Sequence, residues 1–302
     1  MPLAARIPSQ LWLILATLIG GMFLLSDLAP KPTKAANHSD AADLGATALG
    51  ATARQAVIEI FRNRDPTAID RFFSEPFVQH DPNNADGLSG LKMFAAEVAS
   101  SPTADVTIYR TLVDGDIVML HSKYEGVRGF ARPVIAFDLF RFKGGKIVEH
   151  WGGQDPEVGP NPSGHTQVDG PTAVLDRDRT EANRALVRAF KQAVTVELRF
   201  DRVDEFIDGD HYTQHASKVG DGVARMKSRV SEVAKPGAAP VLVPRRYVAE
   251  GNFVLALVEA RTEPPTANYD LFRVQNGKIA EHWDVLSPIP PRNEWKNANG
   301  PF

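Results

Sequence analysis

The run KIAEHWD (278–284) places His282 and Asp284 two residues apart. Residues two apart in a strand project from the same face, so an imidazole and a carboxylate would stand side by side as a hydrogen-bonded base. The carboxylate favours the imidazolium and burial opposes it; sequence leaves that contest open. A nearly identical run, KIVEHWG (146–152), carries His150 but has Gly152 where the other has Asp284. Asp138 and Asp270 stand in the matching apolar runs FDLFRF and YDLFRV, His80 and His215 close the runs FVQH and YTQH, and His121 lies in DIVMLHS. Ionisable groups in apolar segments are costly to bury unless paired. A carboxylate in an apolar cavity has its pKa raised towards the range useful for a general base. The candidate catalytic residues are therefore His80, His121, Asp138 and His150, then His215, Asp270, His282 and Asp284. Structural readings stand beside these: His80 could organise the Asp81-Pro82 loop, His121 could be a satisfied core histidine, the repeated Asp138 and Asp270 could hold a structural hydrogen bond, and Glu149-His150-Trp151 could be architectural, since Trp on a sheet face is usually core. The three histidines of the first half could meet as a metal site, but their positions give no recognised ligand spacing.

Alternation assigns the faces. In FDLFRF, Asp138, Phe140 and Phe142 fall on one side and Phe137, Leu139 and Arg141 on the other. In KIVEHWG, Val148, His150 and Gly152 share one face and Ile147, Glu149 and Trp151 the opposite one.

The duplicated phrases belong to a longer repeat. An offset of 132 carries 137–141 and 145–151 onto 269–273 and 277–283, and an offset of 135 carries FVQH, Asp86-Gly87 and Glu97-Val98-Ala99 onto YTQH, Asp221-Gly222 and Glu232-Val233-Ala234. The copies span 50–158 and 180–302. Each begins with helical spacing (RQAVIEIFR, RALVRAFKQAV). In the first copy DPTAIDRFF predicts a second short helix, with Asp65 as N-cap and Pro66 at its first position, and GLKMFAAEVA a third. Strand pairs follow, with a turn at VDGD (113–116). The fold class is α+β: two tandem domains, each an antiparallel sheet packed on three helices. Residues 159–179, rich in Gly, Pro and polar residues, are either a linker or an arm laid over the neighbouring domain. The C-terminal Trp295 and Phe302 suggest a tail that packs against something.

Composition narrows the function. The chain is 43% apolar and 24% charged over 302 residues, with formal net charge −3 and no Cys. Its pI is about 6.3. No basic footprint for nucleic acid is present, and disulfides, thiolate metal sites and cysteine nucleophiles are excluded. The apolar run 11–25 is fifteen residues long, short of the roughly 20 that span a bilayer. Residues 1–35 read as a secretory signal with cleavage before Ala36, or alternatively as an uncleaved inner-membrane anchor. The body is then periplasmic or secreted, with no stable membrane partner unless that anchor stays.

FVQHDPNNADGLSGL, VDGDIVMLH and FDLFRFKGGKIVEHWGG, echoed by YTQHASKVGDGV, AEGNFVLAL and YDLFRVQNGKIAEHWDV, resemble SnoaL-like polyketide cyclases of the nuclear transport factor 2-like superfamily. The resemblance covers nearly all of residues 50–302. It implies a cone, a curved sheet wrapped over three helices around an apolar pocket, with no metal or organic cofactor. It further implies a small apolar, carbonyl-bearing ligand and proton abstraction next to the carbonyl, leading to aldol closure or isomerisation. A non-catalytic ligand-binding or protein-interaction module is the alternative. Relatives often dimerise through the sheet face, so the resemblance also implies an intramolecular pseudo-dimer of the repeats, or a homodimer. The second copy lacks His121 (Leu257) and the first lacks Asp284 (Gly152), so neither holds the full set.

Overall fold

Helix α1 (His38–Phe61) opens the first of two similarly folded copies in the computed structural model, which describes residues 38–207, 209–233 and 241–302. Helices α2 (Ala68–Phe72) and α3 (Gly87–Ala99) follow, with β1 (Phe73–Gln79) between them, then β2 (Asp105–Asp114), β3 (Ile117–Glu125), β4 (Val134–Lys143) and β5 (Lys146–Pro156). Helix α2 starts later than the sequence suggests: the Asp65 carboxylate accepts the Thr67 N–H at 2.9 Å and the helix begins at Ala68. The second copy has α4 (Thr180–Phe190), which runs on into a π-helical turn (Lys191–Val196), then α5 (Val203–Phe206), β6 (Thr213–Gln214) and α6 (Val223–Val233). Strands β7 (Val241–Glu250), β8 (Phe253–Arg261), β9 (Thr266–Gln275) and β10 (Lys278–Pro288) complete it. The proposed N-terminal signal or anchor lies outside the described residues. Among the described residues no helix is long and apolar enough to cross a membrane.

The sheets have the orders β1-β5-β4-β3-β2 and β6-β10-β9-β8-β7. They are mixed rather than purely antiparallel, because β1 and β6 join β5 and β10 in parallel. Those two strands enter from helices and not from hairpins, so nothing forces them antiparallel. The remaining strands form a meander whose tight turns permit antiparallel pairing, as at Gly115, which takes φ 61° between β2 and β3.

Each sheet is buried on both faces. The inner face of the first packs Leu120, Phe140, Phe142 and Ile147 against Val57, Ile60 and Phe61 of α1. The second sheet does the same with Phe272 and Ile279 against Val187 and Phe190 of α4. The outer faces pack on each other: Met119, Phe137, Leu139 and Trp151 meet Leu255, Tyr269, Leu271 and Trp283 in one apolar layer. Arg110 lies 4.2 Å over the Trp283 ring and Arg246 4.2 Å over Trp151, the same cross-copy stack made twice. Gly153 admits this packing, since a Cβ there would stand 2.2 Å from the Tyr269 ring.

Alternation predicts the faces of β4 correctly and fails in β5. Ile147 belongs to the inner core and Trp151 to the layer between the sheets. The pairing slips between Arg141 and Phe142, so that Glu149 faces Arg141 and Ile147 faces Phe142. The extra residue, Val148, reverses the alternation as a β-bulge does.

Two arms cross between the copies. The segment after β5 bonds to the second copy through Asn161, whose amide donates to the Gln214 carbonyl at 2.6 Å, and Asp169, whose carbonyl accepts from the Trp283 indole at 3.0 Å. The segment after β10 returns to the first copy. The Asn297 amide donates to the carbonyls of Asp81 (2.7 Å) and Asn84 (3.0 Å), and that of Asn299 to the Gln79 carbonyl (2.9 Å). Replacing Asn297 with Ala removes the donor to the Asn84 carbonyl and one of the two donors to the Asp81 carbonyl, which keeps the Asn84 N–H at 3.1 Å. It is expected to cost about 1–2 kcal/mol and to expose the tail to proteolysis; urea midpoints and cleavage rates equal to wild type would show that the tail holds nothing.

Candidate active site in the first cone

The site starts from a backbone bond. The Asp86 carboxylate accepts the Gln79 N–H at 2.9 Å and fixes the end of β1. The Gln79 side-chain oxygen accepts the Asp81 N–H at 2.9 Å, which sets the amide's orientation. The same oxygen lies 3.0 Å from His150 Nδ1. An oxygen can only accept, so the His150 proton sits on Nδ1 and Nε2 faces the Asp138 carboxylate at 3.0 Å. The other Asp138 oxygen takes the Tyr124 hydroxyl at 2.7 Å. Burial first, and the Asp138 charge second, push the Tyr124 phenol well above its ordinary pKa, so it stays a donor. The 3.0 Å between Asp138 Oδ1 and His150 Nε2 is hydrogen-bond distance, so a proton taken up there would be held by both.

Asp138, His150 and Tyr124 line a cavity of about 280 Å³ together with Phe61, Phe77, Phe94, Phe130 and Phe140. That volume is just below the roughly 300–1,000 Å³ of small-molecule sites, so the cavity has room only for a small molecule. Ser287 of β10 also lines the cavity, so the second copy forms part of its wall. Gly152 faces Asp138 directly across the β4–β5 pair. A Cβ there would stand 2.9 Å from His150 Cε1 and 3.5 Å from Asp138 Oδ1. The missing side chain keeps the space over the Asp138–His150 pair open.

The second copy repeats the chain with one exchange and one addition. The Asp221 carboxylate accepts the Gln214 N–H at 2.9 Å, the Gln214 oxygen lies 3.0 Å from His282 Nδ1, and His282 Nε2 lies 3.0 Å from Asp270. The exchange is at the second aspartate oxygen, which here accepts from Lys191 Nζ at 2.7 Å rather than from a tyrosine. Burial alone would raise the Asp270 pKa, but Lys191 and then His282 outweigh it and hold the carboxyl far below its usual range. The addition is Asp284, opposite Asp270 on the neighbouring strand and in the place that Gly152 leaves open. Burial above all, with Asp270 and Asp155 adding to it against His282 and Lys191, pushes the Asp284 carboxyl up to about 6.

The structure thus brings Asp138 to His150, and Asp270 to His282 and Asp284. It does not bring His80, His121 or His215 to those groups. His121 lies on the outer face, stacked on Phe137 at 4.3 Å between the two sheets, and accepts from Arg110 at 3.1 Å. Burial and the neighbouring guanidinium hold its pKa well below the ordinary value. An apolar second sheet covers the face on which it projects, so its burial reflects packing between copies and not a cavity. His80 stacks on Trp151 at 4.6 Å, with its ring nitrogens 2.8 Å from the Gly300 carbonyl and 2.8 Å from Glu149. His215 stacks on Trp283 at 4.4 Å under the linker arm. Sequence reading missed Gln79, Gln214, Tyr124 and Lys191. The glutamines repeat in FVQH and YTQH, a signal that could have found them. Tyr124 and Lys191 have no counterpart in the other copy and left none.

Residues 54–150 match the family model described as SnoaL-like domain. Among solved structures the chain is similar to a candidate ketosteroid isomerase from Kribbella flavida DSM 17836, at 19% identity over 38% of this chain and 87% of that one, with TM-score 0.32. It is also similar to an NTF-2 like protein of unknown function from Burkholderia xenovorans LB400 (21%, 41% and 98%, 0.34) and to a candidate polyketide cyclase from Bacillus cereus ATCC 10987 (25%, 36% and 75%, 0.32). No curated protein matches the chain.

Proposed function

We propose, from the premise that residues 54–150 form a SnoaL-like domain, that the first cone binds a small apolar carbonyl compound and moves a proton next to its carbonyl. One observation carries this reading: Asp138 Oδ1 and His150 Nε2 stand 3.0 Å apart at the wall of an apolar cavity, beneath the opening left by Gly152, where the two can take up one proton between them. A ligand oxygen placed over Gly152 would meet His150 and Asp138 where Asp284 stands in the other copy. The pair takes the α-proton and returns it at a second carbon, which isomerises the ligand, or the carbanion attacks a second carbonyl and closes a ring. Tyr124 keeps Asp138 in position throughout. Such pairs contribute typically 10²–10⁴-fold when positioned on the substrate. Export rests on the signal-like pattern of residues 1–35.

A binding role without turnover is the second reading. It is favoured by the Asp138 carboxylate, both of whose oxygens already have partners. Both readings need the cavity. Untargeted ligand capture by the purified protein, analysed by mass spectrometry, should yield a small apolar carbonyl compound. Gly152→Asp should lose it, because the new side chain fills the opening. An unchanged ligand profile in that variant would remove the first-cone cavity as the binding site.

A further inference from the structure

The linker arm carries a second cluster of chemistry-bearing side chains, on the opposite side of the second sheet from Asp270. His165 and Asp169 lie four residues apart on the arm and fold against the buried His215 of the second cone. Asp169 Oδ1 stands 2.6 Å from His215 Nδ1, and Asp169 Oδ2 stands 3.6 Å from His165 Nδ1. One donor atom from each of the three residues lies within 4.8 Å of the other two. Ions held at roughly 2.0–2.1 Å by N and O ligands need spacings of this order.

The far nitrogens carry a second, independent signal. His165 Nε2 lies 3.1 Å from the Asp221 carboxylate, and His215 Nε2 lies 3.7 Å from Glu281 Oε2. Both His215 Nε2 and Glu281 Oε2 are buried without a hydrogen-bond partner. A carboxylate behind the far nitrogen of each imidazole is the arrangement found behind metal-bound histidines. A cation between the two Nδ1 atoms and Asp169 would meet one donor atom from each of the three residues. The Thr166 carbonyl, 3.2 Å from His215 Nδ1, offers one more oxygen. The side chains of His165 and Asp169 are 32% and 41% exposed, which leaves an entry path and positions for water. The other His/Asp cluster, Asp270 with His282 and Asp284, is less suited, because the Lys191 ammonium already occupies Asp270.

We infer that His165, Asp169 and His215 bind one divalent transition-metal ion of the Zn²⁺ class, which clips the linker arm to the second cone. Two imidazoles and one carboxylate suit such borderline cations better than Ca²⁺ or Mg²⁺, which prefer all-oxygen sites. This site is independent of the proposed chemistry in the first cone. The test uses untagged full-length protein, stripped with chelator and desalted, titrated calorimetrically with Zn²⁺ at pH 7.5. Wild type should bind one ion per chain, with a rise in thermal midpoint on loading. His165→Gln and Asp169→Asn, both on the exposed arm, should each weaken binding at least about 10-fold, while chelator-treated variants keep the far-ultraviolet spectrum of chelator-treated wild type. Absence of saturable binding by wild type, or affinity unchanged in both variants, overturns the inference.

Discussion

Asp270→Asn is expected to destabilise the protein by about 3–5 kcal/mol at neutral pH, and Asp284→Asn to stabilise it. The two carboxylates face each other across β9 and β10 but hold opposite positions in the energy balance. Asp270 is paired with Lys191 at 2.7 Å, and the two side chains are 11% and 7% exposed. Removing its charge leaves a buried ammonium without its counter-ion. Its folded pKa is depressed, so its contribution is complete above the ordinary carboxylate range and is lost as pH falls below it. Asp284 is raised from 3.8 to about 6 by burial and by Asp270. The folded chain therefore holds a proton that the unfolded chain releases, and stability falls as pH rises from about 4 to about 6. At about 1.4 kcal/mol per pH unit the full loss is at most about 3 kcal/mol. Asparagine carries no charge to lose, so Asp284→Asn should gain up to that amount at pH 8 and almost nothing at pH 4. Urea unfolding of the three proteins at both pH values decides it. Equal gains for Asp284→Asn at pH 4 and pH 8, or an Asp270→Asn variant as stable as wild type, would contradict the assignment of these charges.

The legible part of the fold was the part written twice. FDLFRF gave Asp138 and Phe140 to one face and Phe137 and Leu139 to the other, and the structure agrees. The repeats also put an Asp and a His on adjacent strands in both copies. What stayed hidden followed from two physical facts. A sheet buried on both faces has apolar residues on both, so alternation separates the faces without saying which one lines a cavity. His121 was lost that way. A bulge costs one residue and leaves no mark in composition, so Ile147 and Trp151 were placed on one face when Val148 divides them. The support of the aspartates was invisible for a third reason. Tyr124 comes from β3 and Lys191 from the turn after α4, yet both end on the same carboxylate position. Different elements solved one problem, and no residue-by-residue comparison of the copies shows it.

Asp138→Asn separates a catalyst from a binder. If the first cone moves protons, the variant should lose about 10²–10⁴-fold in rate while its affinity for the captured ligand changes only a few-fold. Asparagine keeps the shape of aspartate and still accepts from Tyr124 through its oxygen, so the cavity and its apolar contacts survive. What disappears is the carboxylate that stands opposite His150 Nε2. The readout is wash-in of deuterium from D₂O at the ligand's α-carbon, followed by mass spectrometry; it requires no knowledge of the final product. Wild type should exchange well above the uncatalysed rate, Asp138→Asn should fall near it, and His150→Gln should fall with it because the pair acts as one unit. Gly152→Asp should abolish exchange and binding together, since its Cβ alone would crowd His150 at 2.9 Å. Loss of exchange with binding kept in Asp138→Asn identifies Asp138 as a group on the reacting atoms. Exchange at the wild-type rate in Asp138→Asn would assign the carboxylate to the support of the strand, and tight binding with no exchange in wild type would make the first cone a carrier.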